Sequence, residues 1–204
     1  MRSFLLLFLI VNFLTAQKVV KKSIVDSAID SFQIDASNSF EISIDTRDTD
    51  AVVVEATIDG EYSKDLVLSV KEVGSAVMIN AGFRPNFENP NDKLSAHKVV
   101  SIALRIQLPT HKKVRLFGTN CTIQASGAYE KLKVTLNDGA SYLNNVKGFV
   151  EVNTQSGDII VKSNKAEIHG VSKYGKILGD QIPNGNTKYI LHTVTGNIRL
   201  KRIE

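Results

Sequence analysis

CTIQA at residues 121–125, GASYL at 139–143, GDIIV at 157–161, GKILG at 175–179 and GNIRL at 196–200 are five versions of one short segment. Their first residues lie 18, 18, 18 and 21 positions apart. Each opens on a turn-compatible residue: Cys121, Gly139, Gly157, Gly175 or Gly196. A second set of turn formers keeps the same register: Gly127, Asn145, Ser163 and, after an insertion around Ile182-Pro183-Asn184-Gly185, Asn184. Between the second turn and the next first turn lies another strand. Its residues fall into columns: Leu132, Val150, Ile168 and Tyr189; Val134, Val152, Gly170 and Leu191; Leu136, Thr154, Ser172 and Thr193.

This pattern predicts a coil of two short strands and two corners, each coil stacked on the one before. Stacking is required because a single coil cannot bury its own apolar face, whereas neighbours share a continuous core. The glycines suit corners that need positive φ or close backbone approach. On this reading Gly139, Gly157, Gly175, Gly196, Gly127, Asn145, Ser163 and Asn184 are structural corner residues. The last strand, near Ile198 and Leu200, should be an open end covered by the charged tail Lys201-Arg202-Ile203-Glu204 or by a partner.

Upstream, alternation is equally persistent but the spacing differs. Phe32 and Ile34, then Phe40, Ile42 and Ile44, then Val52, Val54, Ala56 and Ile58, then Leu66, Leu68 and Val70 recur at period two, as does Val77 with Ile79. Val100, Ile102, Leu104, Ile106 and Leu108 form the longest such run, which ends at Pro109. Period two marks strands with one buried face, and no window past the leader shows helical spacing. The expected fold class is all-β: a β-solenoid of ~18-residue coils over 118–204, preceded by a largely antiparallel strand region over 17–117. Residues 81–98, with Pro85 and Pro90, are read as an irregular loop in which Phe83 and Phe87 are either buried plugs or exposed contacts.

The N-terminus reads as a secretory leader over residues 1–16. Arg2 supplies the positive region, Phe4 to Leu14 the apolar run and Thr15-Ala16 the small-residue cleavage site before Gln17. The apolar run is about half of the ~20 residues that span a bilayer as a helix, so no transmembrane segment is expected after cleavage. The chain is therefore expected to be exported, to the periplasm, the cell surface or beyond. With one cysteine, Cys121, no internal disulfide can form, and a chain of 204 residues must rely on its own core.

A net charge of +4 argues against nucleic acid as a partner. The cationic cluster His111-Lys112-Lys113 with Arg115 is read as a solvated strand edge. Gly170 to Ile177 imitates a phosphate-binding loop, but Ile177 stands where a magnesium-binding hydroxyl belongs, and no helix follows. There is no Gly-x-Ser-x-Gly elbow. His97, His111, His169 and His192 lack the spacing of a zinc site, and Asp45, Asp48 and Asp50 lack the rest of a calcium loop. Asp158 and Asp180 are carboxylates without a recognisable cleft partner. Asn120-Cys121-Thr122 fits a glycosylation sequon. No catalytic, cofactor or metal residue is therefore assigned, and the chain is expected not to be an enzyme.

Leu14-Thr15-Ala16-Gln17, the strand Val100-Ser-Ile-Ala-Leu-Arg-Ile-Gln-Leu-Pro109, and the coils Ser156-Gly-Asp-Ile-Ile-Val and Thr195-Gly-Asn-Ile-Arg-Leu together resemble the bacterial putative-adhesin β-solenoid family, over roughly residues 30–204. Gly139-Ala-Ser-Tyr-Leu and Gly175-Lys-Ile-Leu-Gly depart from its Ser/Thr-Gly-Asp/Asn-Ile repeat. The resemblance implies an extracytoplasmic domain and brings no catalytic residues with it. Three roles stay open: a binding or scaffold protein of the envelope whose partner is a glycan or surface protein, a sensory or regulatory envelope component, and a carbohydrate-active β-helix enzyme. The outward polar residues Glu151, Asn153, Gln155, Lys162, Arg199 and Lys201 are the expected contact ladder.

Overall fold

The computed structural model describes residues 18–25, 28–60, 63–87 and 100–204. The leader, most of the 81–98 loop and His97 lie outside the described residues. Within them the chain is all-β, with thirteen strands and no helix. The strands are β1 (Lys18–Val25), β2 (Ser31–Asp35), β3 (Glu41–Arg47), β4 (Ala51–Gly60), β5 (Leu66–Val73), β6 (Ala76–Phe83), β7 (Val100–Pro109), β8 (Lys113–Thr154), β9 (Asp158–Ser163), β10 (Glu167–Ser172), β11 (Ile177–Gly179), β12 (Lys188–Thr193) and β13 (Ile198–Arg202).

One hydrogen-bonded sheet contains all of them, and it does not close on itself. It folds into two arms because β8, 42 residues long, turns corners instead of ending. Those corners fall where φ is positive: Gly127 (99°), Gly139 (99°), Asn145 (49°) and Gly148 (105°). One arm runs β5, β6, β2 and then residues 113–117 of β8, and it ends 149–154 of β8, β12, β10. The other runs β1, β4, β7, β3 and residues 122–125 of β8, and it ends 140–144 of β8, β9, β13, β11.

The arms share a single core. Alternate residues of most strands point into it, so Phe32, Ile34, Ile42, Ile44, Ile123, Leu132, Val134, Val150, Val152, Ile159, Val161, Tyr189, Leu191 and Ile198 are all buried. Each such side chain contributes about 1.5–3 kcal/mol by leaving water. Tyr129 and Tyr189 bury whole rings and still satisfy their hydroxyls: Tyr129 donates to the Ser126 carbonyl at 2.9 Å and Tyr189 to the Val146 carbonyl at 2.7 Å.

Four expectations change. The upstream strands are antiparallel only in part: β1–β4, β4–β7 and β5–β6 are, but β2 and β3 join parallel ladders with β6, β7 and β8. Parallel stacking therefore begins near residue 31. The His111–Arg115 cluster is not at a strand edge, because Lys113 and Arg115 pair with Ser31 and Gln33 on an interior strand. The loop also starts later than residue 81, since β6 extends to Phe83.

The fourth change is in the stacking order. β12 pairs with residues 149–154 of β8 on one side and with β10 on the other. β13 likewise lies between β9 and β11. The C-terminal segment is thus inserted between its two predecessors, and β10 and β11 form the outer end. The columns hold their register: Tyr189 stands opposite both Val150 and Ile168, and Leu191 opposite both Val152 and Gly170. Ile198, expected at an open end, is fully buried between Ile159 and Ile177. The insertion after β11 supplies the chain needed to step back, and it is tied down by Ala166 N–H to the Pro183 carbonyl and Glu167 N–H to the Thr187 carbonyl, each 2.8 Å.

Candidate binding faces

The corner residues form a column that follows the same interleaved order. A Cβ placed on Gly139 would lie 2.1 Å from the Cys121 carbonyl oxygen, one on Gly157 2.8 Å from that of Gly139, one on Gly196 2.2 Å from that of Gly157, and one on Gly175 2.0 Å from that of Gly196. Side-chain hydroxyls brace this corner. Thr154 Oγ1 donates to the Gly157 carbonyl at 2.7 Å, and Ser172 Oγ to the Gly196 carbonyl at 2.8 Å. The Gly170–Ile177 stretch that imitates a phosphate loop is part of this corner, with Gly175 N–H donating to Ser172 Oγ at 2.9 Å. At the second corner Asn145, Ser163 and Asn184 line one shallow depression, while Gly127 packs against Thr46.

Several carboxylates already have partners within the fold. Asp158 accepts from Asn197 N–H at 2.7 Å and pairs with Arg199 at 3.3 Å. Asp180 accepts from Arg202 N–H at 2.8 Å, and the two carboxylates line no common cleft. Glu167 accepts from His169 at 2.7 Å and from Lys188 at 3.2 Å, and these hydrogen bonds lower its pKa. Asp45 binds Arg47 and Gln107. Cys121 is buried, and burial pushes its thiol up to about 11, so it stays protonated and unreactive at neutral pH. No group of three metal-ligating side chains occurs among the described residues. Phe83 is exposed and stacks on Phe87, with ring centroids 4.2 Å apart.

The expected contact ladder divides between the two outer faces. Glu151 and Asn153 lie on the β8–β12 face, joined at 3.1 Å, and Glu151 also holds Lys133 at 2.7 Å and Lys131 at 3.5 Å. Lys162, Arg199 and Lys201 lie on the β9–β13 face, where Lys162 and Lys201 are direct neighbours.

That second face contains a cleft of about 310 Å³ lined by Ser43, Gln124, Ser126, Tyr142, Asn144 and Lys162. Four stretches of sequence supply it: β3, two passes of β8, and β9. Register places Ser43 beside Gln124, Tyr142 beside Ile160 and Asn144 beside Lys162. Tyr142 is 43% exposed, so its ring is available beside amides, hydroxyls and an ammonium group. Gln124 is oriented by donating to Glu41 at 2.8 Å. Sequence reading did not single out Tyr142. Its only signal was an aromatic residue at an outward position of the least regular repeat segment.

These features define an all-β protein with parallel, stacked outer faces. The fold is shared with a putative cell adhesion protein from Clostridium sporogenes, at a TM-score of 0.68 and 13% identity over 92% of this chain and 100% of that one. Putative adhesins from Bacteroides fragilis and Parabacteroides distasonis align over 93% and 91% of this chain and 99% and 98% of theirs, both at 12% identity, with TM-scores of 0.37 and 0.31. The first likeness establishes the fold alone, and the other two carry no argument. No family model matches the chain, and no curated protein does.

Proposed function

We propose that this is an exported, non-enzymatic binding protein of the bacterial cell surface, adhesin-like, with a leader over 1–16, a strand region over 17–117 and a β-solenoid over 118–204. Its partner is a glycan of the envelope or of a neighbouring surface. The observation that carries this reading is the Tyr142 cleft: a half-exposed aromatic ring flanked by Gln124, Asn144, Ser43 and Lys162. A ring face covers the apolar side of a sugar, and amide and hydroxyl groups match its hydroxyls. Support for a non-catalytic role comes from the cleft's chemistry. No carboxylate, histidine or thiol lines it, whereas glycoside hydrolysis needs two carboxylates across the bond.

The test is binding of purified protein to an array of bacterial and host glycans, repeated with Tyr142→Ala. Recognition of a glycan set that is lost, tenfold or more, in the variant supports the reading. Tyr142 is exposed, so the variant keeps its fold. Absence of any glycan binding, or an equal response from Tyr142→Ala, removes its basis.

A further inference from the structure

The opposite face carries a second, chemically different site, made where β6, β2 and two passes of β8 lie side by side. Register aligns Met78, Gln33 and Arg115 in one outward column and Asn80, Asp35 and Phe117 in the next. With Lys133 and Thr135 these residues line a groove of about 370 Å³. Met78 is 46% exposed and Phe117 47%, an unusual pair to leave in water on one sheet face.

The charges around this groove are unequal in what they already do. Lys113 is paired with Glu130 at 3.2 Å, and Lys131 and Lys133 share Glu151 at 3.5 and 2.7 Å. Asp35 accepts from the Ser37 N–H and hydroxyl. Arg115 has no ion pair or side-chain hydrogen bond among the described residues, although it lines this groove and two adjoining depressions toward Lys113 and Lys131. A guanidinium offers five donors in a planar fork that matches a carboxylate or phosphate in two-point contact. An unpaired fork beside an exposed aromatic ring and two amides has the elements needed to bind a ring that bears an anion.

We propose that the Arg115 groove binds an acidic sugar residue, its carboxylate or phosphate on Arg115 and its ring against Phe117 and Met78. Gln33 and Asn80 face its hydroxyls, and Lys133 strengthens the local positive potential. A long polyanion such as nucleic acid fits poorly, because Glu130, Glu151 and Asp35 interrupt the cationic patch and would repel closely spaced phosphates. The same carboxylates disfavour a uniformly anionic membrane. The ligand is thus a sugar with one anion per ring, held at a site independent of the Tyr142 cleft.

The experiment is an amide NMR titration of the full-length mature protein with oligogalacturonate, its fully methyl-esterified form, a phosphorylated hexose and vesicles containing an anionic phospholipid. The expected result is saturable shifts at residues 33, 115, 117 and 133 with the uronate or the phosphosugar, and none with the ester. Arg115→Ala should weaken binding at least tenfold, Arg115→Lys less, and Tyr142→Ala not at all; raising the salt concentration should weaken it further. Arg115 is exposed, so an unchanged Tm will show that the variants fold. Equal binding of the ester, an unaffected Arg115→Ala, shifts confined to residues around Tyr142, response to vesicles alone, or no shift with either acidic sugar would each overturn the proposal. Because Tyr142→Ala reports on the other face, failure of one site leaves the other legible.

Discussion

The α-carbon of Gly196 sits so close to Gly157 that a Cβ added there would come within 2.2 Å of the Gly157 carbonyl oxygen. These residues are 39 positions apart, yet they occupy consecutive places in the corner column, and Gly175, nearer in sequence to both, lies beyond Gly196. The relationship follows from the insertion of β12 and β13 between β8–β9 and β10–β11. Backbone meets backbone there, so nothing flexible can move aside.

Gly196→Ala should therefore cost about 3 kcal/mol, because relief requires shifting a packed strand. Gly74→Ala is the control. Gly74 has φ of 62° but nothing within 4 Å of an added Cβ, so only the backbone preference is lost, about 1–2 kcal/mol. Urea denaturation of both variants should give the larger loss of midpoint at Gly196. Equal losses would mean that the corners are looser than the column requires.

The interleaved order itself can be read by cross-linking. In a background without Cys121, Asn153→Cys with His192→Cys places the thiols on directly paired residues. Asn153→Cys with Val171→Cys places them two strands apart, since His192 lies between. Adjacent strands are about 4.8 Å apart and a disulfide tolerates Cα separations to about 7 Å, so the first pair should oxidise and the second should not. Sequential stacking would give the reverse, and mass spectrometry of the oxidised proteins separates the two outcomes.

This is also where sequence reading reached its limit. Periodicity reports which residues face inward and which columns they share, and Val150, Ile168 and Tyr189 do share one. It cannot report which member of a column is next to which, because β10 and β12 present equivalent residues to β8: Ile168 for Tyr189, Ser172 for Thr193. One difference was visible in hindsight. β10 has Gly170 where β12 has Leu191, and Val171, Ile177 and Leu178 of the outer pair are exposed, as suits a segment with a neighbour on one side only. The binding faces were less legible for a related reason. Arg115 and Tyr142 are ordinary outward residues along their own strands, and they become sites through Gln33, Met78, Ser43 and Lys162, which are brought beside them from far along the chain.

Core chemistry gives a paired prediction at neighbouring residues. Ser141 and Ile159 stand opposite each other on β8 and β9, both fully buried, and the Ser141 hydroxyl has no hydrogen-bond partner among the described residues. An orphaned buried hydroxyl costs about 1–3 kcal/mol, so Ser141→Ala should be neutral or raise stability by about 1 kcal/mol. Ile159→Asp puts an unpaired charge in the same layer and should cost about 4 kcal/mol or more, unfolding the C-terminal half. Calorimetry should move Tm in opposite directions, or leave it unmoved for Ser141→Ala. A large loss for Ser141→Ala would contradict the orphaned hydroxyl.

Alkaline pH should destabilise the fold, with Cys121 as the first group responsible. Burial raises its thiol to about 11, and the same cause raises the buried Tyr129 and Tyr189 phenols. An unfolded cysteine ionises near 8.5, so above that pH the unfolded chain releases a proton that the folded chain retains. Stability is then full below about pH 8.5 and declines as pH rises towards 11, by about 3 kcal/mol for this one group. Cys121→Ala should flatten the fall in Tm between pH 8.5 and 10 while leaving the steeper loss at higher pH, where the two tyrosines begin to ionise in the unfolded state. Superimposable Tm profiles for the two proteins across that interval would show that the thiol is hydrated in the native state, and would remove the basis for calling it unreactive.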